Sequence, residues 1–155
     1  MSTYFQAAIN EAQLGVEAEE GAPFGACIAY QGSIIASAHD TVLKDGDATC
    51  HAEINAIRQA SKKLNNYRLS GCVIYCTSEP CPMCFSAIHW AGIEECHFIL
   101  DRNIAATYGF DDAHLYKELC LPLSERNMRV KQHNKQTMDA KEIFEQWRKK
   151  GLPLC

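Results

Sequence analysis

The 155-residue sequence contains no apolar run approaching membrane-spanning length. Its opening residues, Met1-Ser2-Thr3-Tyr4-Phe5-Gln6, lack the charged stretch and apolar core of a secretory leader. Both absences argue against a membrane partner and make the cytoplasm the expected location. An excess of positive charge is also missing: 15 Lys and Arg stand against 19 Asp and Glu, for a net charge of -4. The molecule as a whole does not attract polyanions, so nucleic acid is not an expected partner. There is no repeat, low-complexity block or linker to divide the chain, which reads as one domain over residues 1–155.

Apolar residues make up 47% of the chain, enough for a core at this length without a covalent staple. Cysteine is plentiful, with nine copies, but nine is odd and the copies are scattered at 27, 50, 72, 76, 81, 84, 96, 120 and 155. In a reducing compartment such a pattern points to metal or catalysis rather than to disulfides. About six or seven of the nine are expected to be packing residues, since a free thiol behaves as a small hydrophobe.

Phe5, Ala8, Ile9, Ala12 and Val16 recur at helical spacing within residues 3–19. Residues 24–30 and 33–38 read as two strands of a hairpin turning at Gln31-Gly32. A polar loop over 40–49 leads to a helix from His51 to about Lys63. Cys72-Val73-Ile74-Tyr75-Cys76-Thr77 is an almost unbroken apolar strand, the pattern of burial on both faces. A helix over 82–91, a strand over 96–100, and helices at 104–108 and 114–119 follow. Residues 127–133 are a fifth strand candidate, and 140–150 a last helix. This order implies helices layered on a single sheet.

Two motifs carry chemistry. His51-Ala52-Glu53 opens one predicted helix and Cys81-Pro82-Met83-Cys84 opens the next. Cys81 and Cys84, at i and i+3, share one face of a helical turn. Pro82 suits the first turn, where its missing N–H has no partner anyway. The exposed N–H groups and the dipole there favour thiolates. Two thiolates and one imidazole select zinc over calcium or magnesium, and three protein ligands leave a fourth position open, as catalytic sites do. Glu53 sits too near His51 to share the metal easily and is placed to move a proton instead. Taken singly, C-x-x-C fits a redox or structural pair and H-x-E an ordinary helix start. Together they form the H-x-E and P-C-x-x-C pattern of zinc deaminases. A four-thiolate structural site would need Cys72 or Cys76, which an apolar strand already buries.

Three blocks extend the pattern: residues 22–26 (Ala-Pro-Phe-Gly-Ala), 49–53 (Thr-Cys-His-Ala-Glu) and 79–84 (Glu-Pro-Cys-Pro-Met-Cys). On these the chain resembles the cytidine deaminase-like superfamily of zinc-dependent nucleobase deaminases. Residues 87–91, 108–112, 115–118 and 144–148 are similar to bacterial guanine deaminases in particular. The resemblance implies a three-layer α/β/α fold, with a central five-stranded mixed sheet and helices on both faces. It also implies Zn2+ on His51, Cys81 and Cys84, and hydrolysis of a small nucleobase, guanine, to xanthine and ammonia. By the same resemblance Glu53 and Asp112 move protons, Phe24 stacks on the base, and backbone around Ala52 and Glu79 holds the ring edge. A homodimer exchanging a C-terminal segment, about residues 128–155, follows from it as well. Ordinary core packing is the competing role for Phe24, and helix capping for one of Asp111 and Asp112.

Two positions depart from that pattern. Asp40 stands where the resemblance implies Asn; a carboxylate only accepts hydrogen bonds, so at a base it favours a ring N–H or a cationic ring and repels a carbonyl. The chain ends in Leu152-Pro153-Leu154-Cys155, where an aromatic residue is implied. Other readings remain: a deaminase of tRNA adenosine, or of guanosine, cytosine or a pterin, and a zinc protein that binds without turnover. Residues 126–150 carry eight Lys and Arg against three Asp and Glu, read here as a solvated helix face.

Overall fold

The computed structural model describes residues 3–153, which form two compact units dividing between Asp112 and Ala113. In the first unit, α1 (Thr3–Glu17) precedes the hairpin β1 (Gly25–Tyr30) and β2 (Ser33–His39). Then come a one-turn α2 (Val42–Asp45), α3 (Ala52–Leu64), β3 (Cys72–Ser78), α4 (Pro82–Trp90), β4 (Glu95–Leu100) and α5 (Arg102–Thr107). The hairpin turns where the sequence indicates: Gln31 and Gly32 both take positive φ, 49° and 78°, as a two-residue turn matching strand twist requires.

The strand order is β2-β1-β3-β4, antiparallel except for the parallel β3–β4 pair. Among the described residues the sheet has four strands, not the expected five. Residues 127–133 alternate like a strand, but they lie irregular and mostly exposed with no ladder partner, and an unpaired strand is not stable.

Side chains at alternate positions separate the two helical layers. Ala26, Ile28, Cys72, Ile74 and Cys76 face a core shared with Ala52, Ala56 and Ala60 of α3 and Ile88 of α4. The alanines recur every fourth residue, so α3 presents a small-residue stripe and lies close on the sheet. The opposite face meets α1: Tyr75 stacks on Tyr4 at 4.8 Å, with Phe5 edge-on at 5.3 Å. Gly25 is the point of closest approach, because a Cβ there would sit 2.0 Å from the Ala8 carbonyl oxygen. β3 is buried at alternate positions and half-buried between them, so the expectation of full burial on both faces holds for only one. Cys27, Cys50, Cys72 and Cys76 are buried, as expected of packing thiols, whereas Cys96 and Cys120 are exposed.

One polar cluster ties α1 to the end of β2. His39 Nδ1 meets Glu11 at 2.9 Å, His39 Nε2 meets Glu20 at 2.9 Å, and Glu20 also pairs with Lys44. Burial alone would lower the imidazole pKa, but hydrogen bonds to Glu20 and Glu11 more than offset it and the net direction is upward. The Glu20 carboxyl is lowered, first by His39 and then by Lys44. A raised histidine stabilises fully below its unfolded pKa of about 6.5 and loses that contribution as pH climbs through the folded value. A lowered carboxyl stabilises above its unfolded value of about 4.3. Thermal melts are therefore expected to show this cluster's contribution at its largest between about pH 4.5 and 6.5. It should decline above that window in the native chain but not in His39→Gln.

The second unit contains α6 (Ala113–Leu119), a 3-10 turn (Leu123–Glu125) and α7 (Thr137–Lys149). Glu118 accepts the Met128 N–H at 2.8 Å, and Arg126 donates to the Leu121 carbonyl at 3.1 Å. No residue of α7 is buried, and Met138, Ile143 and Phe144 are exposed. Cys155 lies outside the described residues. Among those residues no helix is long and apolar enough to cross a membrane.

Candidate active site and metal centre

His51 and Cys81 occupy equivalent places. Each is the N-cap of its helix, α3 or α4, in extended backbone conformation, and neither side chain caps. Serine, threonine, aspartate or asparagine would satisfy a helix N–H there. Instead both side chains turn toward each other, joined by Cys84 one turn into α4. His51 Nδ1 lies 3.7 Å from Cys81 Sγ and 3.5 Å from Cys84 Sγ, and all three donor atoms fall within 4.8 Å of one another. Zn–S bonds of about 2.3 Å and Zn–N bonds of about 2.0 Å at tetrahedral angles place sulfur and nitrogen about 3.6 Å apart. Both sulfur–nitrogen distances match a tetrahedral zinc site. Cys72 and Cys76 belong to the core cluster and supply no fourth donor.

The Cys84 S–H bond pulls the Cys81 pKa down to about 4 against the opposing effect of burial, and His51 helps. Cys84 is correspondingly pushed far up, first by Cys81 and then by burial. Hydrogen bonding to Cys81 raises the His51 pKa despite its burial. Metal ligands must be deprotonated, so a zinc ion held here would displace the Cys84 proton.

Glu53 lies in the first turn of α3, only 7% exposed, and accepts the Cys84 S–H at 3.4 Å on Oε2. Burial pushes its carboxyl pKa upward. Asp112 is half-buried; burial raises its pKa, the Cys81 thiolate adds to this, and Arg102 opposes it. The Glu79 carboxylate accepts the Arg102 N–H at 3.1 Å, and its own N–H donates to the Leu100 carbonyl at 2.8 Å. Its side chain therefore fastens the chain leaving β4. Ala52 places its side chain in the core, leaving only its backbone for a ligand.

A cavity of about 740 Å³ opens beside His51, lined by Phe24, Asp40, Tyr108 and Phe110 among others. Phe24 meets Phe110 edge-to-face with centroids 5.0 Å apart; half-buried, it packs against the core cluster on one side and lines the cavity as well. His51 is common to the donor cluster and the cavity.

Sequence reasoning assigned no role to Tyr108, Phe110 or Asn55. The first two stand in a block similar to guanine deaminases but show no local pattern that points inward. Asn55 Nδ2 donates to the His39 carbonyl, Thr41 Oγ1 and the Cys50 carbonyl, pinning the 40–50 loop to α3. An amide inside a helix, where such residues are disfavoured, was the available signal.

An α/β/α sandwich whose two helix starts present one imidazole and two thiols beside a buried carboxyl defines a zinc-dependent hydrolase of the deaminase class. Residues 1–100 match the family model described as the cytidine and deoxycytidylate deaminase zinc-binding region, and the chain belongs to this family. Guanine deaminase of Bacillus subtilis (strain 168) is 43% identical over 126 residues, 81% of each chain. The X-ray structure of guanine deaminase from Bacillus subtilis superposes with a TM-score of 0.89 at 38% identity, over 94% of this chain and 95% of that one. A tRNA-specific adenosine deaminase of Aquifex aeolicus (strain VF5) is 41% identical over 101 residues, 64% of this chain and 66% of its own length.

Proposed function

We propose that the chain hydrolyses the exocyclic amine of a free purine base, converting guanine and water to xanthine and ammonia. The observation that carries this reading is the juxtaposition of Glu53 with the His51, Cys81 and Cys84 donors beside a cavity walled by an aromatic ring. Similarity along most of the chain to a protein named guanine deaminase supports the choice of base. Zinc held by the three donors supplies a Lewis acid that makes water nucleophilic near neutral pH. Glu53 takes a proton from the attacking water and returns it to the departing nitrogen, a role its buried, raised carboxyl suits. Asp112, also raised, serves the same proton traffic as ammonia leaves. The Phe24 ring covers a face of the base, and Asp40 and the backbone groups near Ala52 and Glu79 hold the ring edge.

The chain works as a single cytoplasmic deaminase domain in a homodimer that exchanges residues 128–155. Exposure of Ile143 and Phe144 on α7, and separately of Phe98, Ile99 and Leu100 on β4, supports such an assembly.

Ammonia release from guanine, adenine, cytosine, guanosine, a pterin and an anticodon stem-loop RNA containing adenosine tests the reading. Guanine is expected to exceed every other substrate by at least about 100-fold in kcat/KM, the discrimination expected when a misfit leaves buried polar groups unpaired. Turnover of the RNA with none of guanine would replace this reading with tRNA editing. A zinc-loaded chain silent on all six would be a binding protein.

A further inference from the structure

Val16, Ala22, Phe24, Asp40 and Leu43 line the cavity beside His51, yet they come from four separate stretches of chain. Glu20, behind this wall, joins three of those stretches. Its N–H donates to the Gly15 carbonyl at 3.0 Å, and its carbonyl accepts the Lys44 N–H at 2.9 Å. Its carboxylate takes Lys44 Nζ on Oε1 and His39 Nε2 on Oε2, each at 2.9 Å. His39 Nδ1 meets Glu11 of α1 at 2.9 Å, and α1 confines the ring further, since a Cβ on Gly15 would lie 2.7 Å from Cδ2. Asp40, next along the chain, ties the wall from within: its Oδ1 accepts the N–H groups of Ala22 and Val42, each at 3.1 Å. Glu19 takes a φ of 57°, which glutamate seldom adopts, so the turn leading into the wall depends on such anchors.

A neutral imidazole has one donor nitrogen and one acceptor nitrogen. Both ring nitrogens of His39 face carboxylate oxygens, so only the imidazolium satisfies the two contacts at once. We propose, resting on the reading of this cavity as the guanine site, that the His39 imidazolium is a positioning group that holds the cavity wall in its binding form, so that losing its proton weakens substrate binding. The charged groups around the ring are Glu11 from α1, Glu20 from the turn and, through Glu20, the Lys44 ammonium of α2. Asp45 and Arg58 line the polar pocket beside it with opposite charges. With His39 protonated the four-membered cluster is neutral; with His39 neutral it carries a net negative charge and sets a lone pair against a carboxylate. Burial lowers the imidazole pKa, but the hydrogen bonds to Glu20 and Glu11 outweigh it and the net direction is upward. The brace is therefore complete below about pH 6.5 and is lost as pH climbs through the folded value. A wall only partly in its binding form raises the apparent Kd by the reciprocal of the fraction that is competent.

The test is calorimetric binding of guanine to zinc-loaded Glu53→Ala, alone and combined with His39→Gln or Glu11→Gln, from about pH 5.5 to 8.5. At the acid end the chain retaining His39 is expected to bind about fivefold or more tightly than His39→Gln, part of the worth of a charged hydrogen bond. At the alkaline end the two are expected to agree within about twofold. Other titrating groups are common to both chains and cancel in this ratio. Glu11→Gln separates an ionic brace from plain packing. A neutral His39 can donate from Nε2 to Glu20 while Nδ1 accepts the introduced amide N–H, so this chain is expected to keep its affinity at alkaline pH. A ratio to His39→Gln that stays constant with pH would overturn the proposal, as would a Glu11→Gln chain that weakens in step with its parent. If His39→Gln does not fold, the Glu11→Gln comparison decides alone. Amide hydrogen exchange over residues 20–24, compared between chains at equal pH, reads the wall without a ligand. Exchange in the parent is expected to outpace that in Glu11→Gln at the alkaline end only; equal rates throughout would overturn the brace. Guanine bound by no chain would sink the substrate reading, and the exchange rates would still judge His39.

Discussion

Glu53→Ala is expected to keep one zinc ion per chain and to lower kcat for deamination by about 10²–10⁴-fold. None of the three donors changes, and the Glu53 carboxyl touches the cluster only through the Cys84 S–H at 3.4 Å. What disappears is the buried carboxyl that contacts the cluster and can accept a proton and pass it on. Glu53→Gln should behave alike, because an amide of the same size still hydrogen-bonds but has no proton to exchange at neutral pH. Stability gives an independent readout. Burial disfavours the ionised form of this group, so its removal relieves a cost, and the melting temperature is expected to hold or rise. Activity lost together with zinc would instead make Glu53 a positioning residue for the metal.

The second large effect concerns the ligands. Cys81→Ser and His51→Ser are each expected to abolish stoichiometric zinc binding and turnover together, while helical content by circular dichroism stays unchanged. Both positions are helix N-caps whose native side chains leave the N–H groups uncapped. Serine is a favoured N-cap, worth about 1 kcal/mol over a non-capping residue. Either substitution therefore exchanges a soft metal donor for a better start to α3 or α4. A general unfolding on substitution would contradict this separation of roles. So would full zinc retention by either variant.

The parts of the site legible in the sequence are those whose information is local. His51 and Glu53 lie two residues apart and Cys81 and Cys84 three apart, so each pair needs only its own helical turn to be placed. The same holds for the Gln31-Gly32 turn, whereas the alanine stripe of α3 shows itself only in the packed core. Chain-distant relations were harder. Asn55 looks like any surface amide until the 40–50 loop folds back on it. Tyr108 and Phe110 become cavity walls only because β4 and α5 return the chain toward β1. Residues 127–133 alternate as a strand should, but alternation does not supply a neighbouring edge. Cys96, on the edge strand β4, shows that an apolar run does not guarantee cover. Asp40 was marked for its chemistry, yet which oxygen is occupied depends on Ala22 and Val42, both outside any motif.

The central claim is that three side chains hold the metal and leave a fourth position for water. Zinc-edge X-ray absorption of the purified protein measures this directly. Two sulfur scatterers at about 2.3 Å and two nitrogen or oxygen scatterers at about 2.0–2.1 Å are expected, one of the latter exchangeable with solvent. Three or more sulfurs around the metal would contradict the account, as would a protein in which Cys81 and Cys84 are joined to each other and no zinc is held.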